Sequence, residues 1–282
     1  MAMMRLSILM VLILLAVPGA VRVAHAAPSA DLWPDWQAHD DASTEQIDHG
    51  AWQAVLDRYL VTKEPGVTAF DYAGAKKDGY DAISGYVTAM TKVAVSGLSR
   101  DQQFAYWVNL YNALTVRVVL DHYPVASIRD IDISPGLFSS GPWGKKLITV
   151  EGRTLSLDDI EHRILRPIWQ DPRIHYAVNC ASVGCPALAA KAYNAATLND
   201  QLNQAAAGFI NHPRAVQRNK DGGFVLSQLY DWYRDDFGKS DADFIAHLKR
   251  FAGPKLTEAL GDTDELDIAG YQYDWRLNDT RP

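Results

Sequence analysis

Two cysteines in 282 residues, Cys180 and Cys185, are too few for a disulfide-dense scaffold. No G-x-S-x-G, H-E-x-x-H, Walker or dinucleotide-binding glycine pattern occurs, so familiar hydrolase, zincin and nucleotide chemistry have no support. No cofactor is therefore assigned, and no metal, because the spacing of His175, Cys180 and Cys185 fits no common zinc pattern. Basic residues are the minority sign, with 27 Lys and Arg against 34 Asp and Glu for a net charge of −7. That balance disfavours binding to phosphate backbones or to anionic membrane surfaces, so no nucleic-acid partner is expected. Internal repeats, low-complexity tracts and long Pro/Gly/Ser linkers are absent, and a single domain is expected.

The one long apolar run, Leu6 to Val17, follows Arg5, is broken by Pro18 and Gly19, and leads to Ala24-His25-Ala26. Charged, apolar and small residues in that order read as a secretory signal over residues 1–26, cleaved after Ala26. The run is shorter than the roughly 20 residues that span a bilayer, so no stable membrane insertion is expected after cleavage. Cleavage would remove Arg5 and Arg22 and leave a more acidic chain in the periplasm or secreted, where disulfides persist. Residues 27–48 then form a polar lead-in with isolated Trp33 and Trp36, and residues 49–282 one globular domain.

What is present is strongly patterned. The spacing of Trp52, Val55, Leu56, Tyr59 and Leu60 predicts a helix over 49–60, and the alternation over 66–72 a short strand. A helix from Arg100 to His122 starts at Ser99, with Gln102 placed for a capping box, and stops before Pro124. Its apolar residues wrap most of its circumference, which places it at the centre of the core. Asn109 and Asn112 sit inside that pattern, either as amides that satisfy backbone groups or as site residues that orient an imidazole or polarise a carbonyl.

A loop over 127–144, punctuated by Pro135, Gly136, Gly141 and Pro142 around Phe138 and Trp143, is long enough for a lid or pocket wall. A hairpin over 146–155 should turn at Glu151-Gly152, and Ser156 with Asp159 forms a capping box for a helix carrying Glu161 and His162. Helices are expected over 198–210 and, capped by Ser240 and Asp243, to Phe251. Tyr230, Trp232, Tyr233 and Phe237 read as core aromatics, and residues 271–278 as a final strand from which Asp274 could reach a histidine.

The segment from Arg173 to Pro186 carries the chemistry, read as a strand running into a small-residue loop with both thiols. In such a strand His175 and Cys180 face opposite sides, so they pair only if the chain bends at Asn179 or the loop brings Cys185 back. Four readings stand open: a structural disulfide, a reactive thiol served by His175, a metal site, and two inert buried thiols.

Several blocks taken in order resemble one family: Trp107-Val108-Asn109-Leu110-Tyr111-Asn112-Ala113-Leu114, Ile160-Glu161-His162, His175 through Pro186, Trp232-Tyr233 with Asp236-Phe237, and Tyr273-Asp274-Trp275 with Leu277-Asn278. They resemble the domain-of-unknown-function family DUF547, found in exported bacterial proteins and in plants behind a coiled-coil segment that is absent here. The resemblance spans roughly residues 50 to 280 and implies no activity.

The fold expected is α+β, a central buried helix packed on a small, mostly antiparallel sheet that includes the His175 strand. Its order is loosely similar to papain-like and transglutaminase-like folds, although no cysteine begins the central helix. The functional expectation is an exported domain whose cleft gathers His175, Cys180, Cys185, Glu161, His162 and Asn109 for thiol- or His-dependent acyl transfer or hydrolysis on envelope peptides. The alternative is a non-catalytic binding or scaffolding module stapled by a Cys180/Cys185 disulfide. Either would take a small-molecule or peptide ligand, and the oligomeric state is left open.

Overall fold

The computed structural model describes residues 28–136 and 140–281. The signal sequence read over residues 1–26, and Phe138, lie outside the described residues.

The chain opens with α1 (Gly50–Tyr59), the antiparallel pair β1 (Leu60–Glu64) and β2 (Val67–Phe70), then α2 (Tyr72–Asp78) and α3 (Tyr80–Met90). Next comes α4 (Arg100–His122), which runs through the middle of the molecule. Seventeen of its 23 residues are buried, so nearly the whole circumference faces protein, as its apolar pattern demanded. Trp36 from the lead-in meets Trp107 edge to face at 5.0 Å, and Tyr106 donates to the carbonyl of Met90 on α3 at 2.9 Å. The expected capping box is not formed. Ser99 makes no side-chain cap, and Gln102 instead accepts from the Ile47 N–H.

β3 (Ile148–Val150) and β4 (Arg153–Leu155) form the expected hairpin. Its turn places Glu151 at φ 45° and Gly152 at φ 79°, the left-handed pair that a two-residue hairpin requires. Ser156 and Asp159 close the reciprocal capping box before α5 (Leu157–Asp159), which continues through a π-helical turn (Ile160–Leu165) into α6 (Arg166–Trp169). π turns of this kind concentrate at functional positions, and this one carries Glu161 and His162.

The segment read as a strand is instead a single helical turn, α7 (Ile174–Ala177). Asp171 accepts from the Arg173 N–H at 2.9 Å, and Pro172 stands just ahead of the turn, where a missing N–H costs nothing. Packing completes the correction. Ile174, Ala177, Val178 and Ala181 belong to the core around α4, whereas Tyr176 belongs to a second core with Phe209, Tyr230, Phe237 and Phe244. A helical turn sends residues to both cores. α7 is thus the seam between them.

α8 (Leu198–Ile210), β5 (Val216–Arg218), β6 (Phe224–Ser227), α9 (Gln228–Trp232), α10 (Asp241–Phe251), α11 (Pro254–Leu260) and β7 (Ile268–Gln272) complete the order. The fold is α+β, yet among the described residues the strands make two two-stranded sheets and one of three strands rather than a single sheet under α4. Within the last, β5 pairs antiparallel with β6, and β6 pairs parallel with β7. Beyond β7 the chain runs along the thiol loop: Val183 donates to Arg276 O at 2.9 Å, Gly184 to Asp274 O at 2.8 Å, and Asn278 to Ala181 O at 3.0 Å.

Candidate functional site

Two polar clusters flank the seam. The first is centred on His175, which is 2% exposed. Its Nε2 lies 2.7 Å from Asp236 Oδ2, and its Nδ1 lies 3.7 Å from Glu161 Oε1. Tyr233 stacks on the ring at 4.0 Å, and Tyr111 donates to Glu161 Oε2 at 3.1 Å. Arg166 grips Asp236 with two nitrogens, at 2.6 and 3.1 Å, the fork geometry that suits guanidinium and carboxylate. It also reaches His162 Nδ1 at 3.1 Å and donates to the carbonyl of Pro28 in the lead-in at 2.7 Å. Burial alone would raise the Asp236 carboxyl, but the bonds from His175 and Arg166 win and hold it well below the usual carboxylate range. Burial lowers His162 to about 4, so its imidazole is neutral at pH 7 and its 3.7 Å approach to Asp158 is a contact of an uncharged ring. Asp158 itself is raised to about 6, first by burial and then by Glu161 and Asp159.

The second cluster is the thiol pair. Val178 leaves α7 in an extended conformation, and the chain then closes a tight loop. Asn179 fixes it by accepting from the Ala181 N–H at 2.8 Å and donating to Pro186 O at 2.7 Å. Asn112 anchors it to α4, donating to Ala177 O at 3.0 Å and accepting from the Asn179 N–H at 2.8 Å. Ala181 sits at φ 58°, an unusual conformation for a residue with a Cβ. Gly184 is required by space, since a Cβ there would stand 2.7 Å from the backbone nitrogen of Asp274.

The sulfurs of Cys180 and Cys185 are 3.0 Å apart, and both cysteines are free. A disulfide bond is about 2.05 Å long, so the expected staple is not formed. Cys180 is partly exposed and Cys185 is 5% exposed. The Cys180 N–H points at Cys185 Sγ at 3.0 Å, while Cys180 Sγ lies 3.0 Å from the Tyr273 hydroxyl and 3.7 Å from that of Ser182. The environment separates the two thiols. Cys180 is held below the ordinary thiol value, first by the hydrogen bond with Cys185 and then by those of Tyr273 and Ser182, against burial and the Glu161 charge. Cys185 is pushed well above it, first by burial.

The six residues expected to share a cleft are thus divided. Glu161, His162 and His175 meet in one cluster, and Cys180 and Cys185 in the other. Both nitrogens of His175 face carboxylates, so the imidazole is not set on a sulfur. Asn109 belongs to neither, because its amide donates to Tyr193 O at 2.8 Å and accepts from the Tyr193 N–H at 2.9 Å. Asp274 pairs with Arg276 and not with a histidine.

Sequence reasoning missed Asp236, Arg166, Tyr233 and Tyr273. Arg166 was findable four residues after His162, the spacing of neighbours on a helix face. Asp236 and Tyr273 stood in the motif blocks without an assigned role, and Tyr233 reads from the sequence only as a core aromatic. Trp232, Tyr273 and Trp275 form an aromatic ledge beside Cys180, with ring centroids 4.6 to 5.5 Å apart. Trp143 of the long loop leans on it at 5.9 Å.

Among the described residues no group of three His, Cys, Asp or Glu is placed to hold a metal ion. Nor is any described helix long and apolar enough to cross a membrane. Surface depressions of about 400 Å³ beside Asp101, Trp169 and Arg173, and of about 500 Å³ beside Gln46, His49 and Tyr193, lie away from both clusters.

Comparison with known proteins finds a family model that matches part of the chain. The family model described as "Protein of unknown function, DUF547" matches residues 95–210. That span holds α4, Glu161, His162, Arg166, His175 and both cysteines, and it ends before Tyr233, Asp236 and Tyr273. No curated protein and no solved structure matches the chain, so the expected likeness to papain-like and transglutaminase-like folds has no matching structure behind it.

Proposed function

We propose that the chain is an exported thiol-disulfide exchange enzyme, with Cys180 as the attacking thiol and Cys185 as the resolving one. The observation that carries this reading is the asymmetry of two sulfurs 3.0 Å apart, the outer one partly exposed and acidified, the inner one buried and kept protonated. The Cys180 thiolate attacks a substrate disulfide RS–SR′, forming a Cys180–SR bond and releasing R′S⁻, which takes a proton from solvent. Cys185 then loses its proton and attacks Cys180 Sγ, forming the internal disulfide and releasing RS⁻. Two thiols and one disulfide thereby become one disulfide and two thiols, and the same steps run in reverse when the pair starts oxidised. The N-terminal sequence supports export, and an oxidising compartment supplies disulfide substrates.

Acyl transfer or hydrolysis on envelope peptides needs a base on the sulfur and free donors for an oxyanion. Here the N–H groups of Cys180, Ala181, Val183, Gly184 and Cys185 are all engaged within the loop or with the chain after β7. The thiol-pair reading therefore fits better than the acyl one. A purely structural role fits poorly with a partly exposed Cys180 held at φ-strained Ala181.

The test is trapping. Cys185→Ser mixed with a small aromatic disulfide is expected to accumulate a mixed disulfide on Cys180, visible by intact mass and reversed by dithiothreitol, while Cys180→Ser accumulates none. A pair with a reduction potential well below about −300 mV would be structural and would end this reading. A thioester on Cys180 formed from an acyl donor would put the acyl reading in its place.

A further inference from the structure

The three-stranded sheet ends on an unguarded edge. β6 lies between β5 and β7, and among the described residues no strand pairs with the outer edge of β7. Exposed edges are normally blunted with lysine, proline or irregular pairing, because they template the addition of another chain. β7 reads Ile-Ala-Gly-Tyr-Gln, with no charge and no proline, and it leaves Ile268 37% and Tyr271 38% exposed. Its single irregularity is near the start, where Phe224 and Val225 face Ile268 and Gly270; from Gly270 to Gln272 the register is continuous.

Two further features say what such an edge would accept. The residue after β7 is Tyr273, whose hydroxyl is 3.0 Å from Cys180 Sγ and whose ring packs on Trp232 at 4.9 Å. At roughly 3.3 Å per residue, a strand laid along Gly270 to Gln272 comes within about 10 Å of the thiol's own hydrogen-bond partner. Charge is graded along the same line, since exposed Asp262, Asp264, Glu265 and Asp267 precede the strand. A row of main-chain donors and acceptors is complemented by another extended backbone and by little else.

We infer that the outer edge of β7 receives an extended, basic, cysteine-bearing segment of a substrate polypeptide as an added strand, which delivers its sulfur to Cys180. This deepens the thiol-exchange reading and rests on it for the last step only, because strand addition is measurable without any thiol. The segment's main chain continues the sheet, alternate side chains rest on Ile268 and Tyr271, and a lysine or arginine at one end meets the acidic run.

The experiment uses the whole chain and a fluorescent eight-residue peptide, rich in Val and Thr, with two lysines at one end and serine in place of cysteine. Fluorescence anisotropy is expected to give the same affinity for the parent and for Cys180→Ser. Ile268→Lys and Tyr271→Lys, made singly at exposed positions, are each expected to weaken it about tenfold. With the cysteine peptide as a disulfide, each variant should lose about tenfold more in kcat/KM than it loses with a small aromatic disulfide, through KM. Equal losses on both substrates, or unaltered peptide affinity in both variants, would overturn the inference. So would a parent dimer that Ile268→Lys dissociates, since a second copy would then occupy the edge. If no variant and not the parent turns over any disulfide while the serine peptide still binds at the edge, the exchange reading fails and the docking site stands.

Discussion

Around His175 the polar groups are closed upon one another, whereas around the thiol pair one member, Cys180, is left partly exposed. The His175 cluster is a ring of mutual partners: Asp236 takes bonds from His175 and Arg166, Arg166 also serves His162 and Pro28, and Glu161 takes Tyr111. None of these side chains appears among the orphaned buried atoms of the described residues. Buried charge in that condition holds a structure in register, and removing one member leaves the others uncompensated. The thiol pair has the opposite character. Its sulfurs have soft, neutral partners that can be exchanged for a substrate sulfur, in a loop held rigidly by Asn112, Asn179 and Gly184. The contrast fits the proposed division, with stability in the imidazole cluster and exchange at the thiols, where the sequence reading puts His175 and both cysteines in one cleft.

The largest effect that would break this comparison is expected at Asp236. Asp236→Ala leaves Arg166 and His175 buried without their shared anion, and should cost about 3 to 5 kcal/mol of stability. Urea unfolding at pH 7 gives that figure. Alkylation of Cys180 by iodoacetamide, measured per folded molecule, should stay within about twofold of the parent rate. A loss of thiol reactivity larger than the loss of stability would make the cluster part of the thiol machinery and cancel the division of labour.

The buried imidazoles, His162 of the closed cluster among them, also carry a pH signature in stability. Burial lowers His162, His49 and His247 to about 4, below the ordinary value of 6.5. Between those limits the unfolded chain binds protons that the folded chain refuses, so stability falls as pH drops from about 6.5 towards 4. Asp158, raised to about 6, works in the other sense: its contribution is present at low pH and is lost as pH rises through 6. Three imidazoles against one carboxyl leave a net loss in acid, of which His162 supplies roughly 1 to 3 kcal/mol. Urea midpoints at pH 7 and pH 4.5 should therefore differ less in His162→Gln than in the parent. Parallel midpoints would show that His162 is not buried neutral.

How much of this was legible in the sequence depended on the range of the forces involved. The limits of α4 at Arg100 and His122, the capping boxes at Ser156/Asp159 and Ser240/Asp243, and the turn at Glu151-Gly152 are local, and the structure has them where local rules put them. α7 was misread as a strand because the apolar residues of 174–178 are drawn to opposite sides by two separate cores. Asp236 lies 61 residues from His175, and Tyr273 lies 93 from Cys180. Nothing in a linear pattern says that those pairs meet. The amides were open to two readings, and the structure takes the backbone one: Asn109 and Asn112 are bound to the backbone of Tyr193, Ala177 and Asn179.

The smallest expected effect sharpens the comparison most, because it probes the thiol cluster without disturbing packing. Tyr273→Phe keeps a ring against Trp232 and Trp275 and removes only the hydroxyl that lies 3.0 Å from Cys180 Sγ. Burial keeps that hydroxyl protonated, so it is a donor to the thiolate and not a rival anion. Without it the thiolate loses one of its stabilising hydrogen bonds, and the Cys180 pKa should rise. The rate of iodoacetamide alkylation plotted against pH should shift to higher pH while its plateau stays in place, and stability should change by about 1 kcal/mol or less. A lowered plateau would mean that access to the sulfur had changed. A profile superimposed on the parent's would leave Cys185 as the main source of the acidity of Cys180, and Cys185→Ser would then shift the same profile further than Tyr273→Phe.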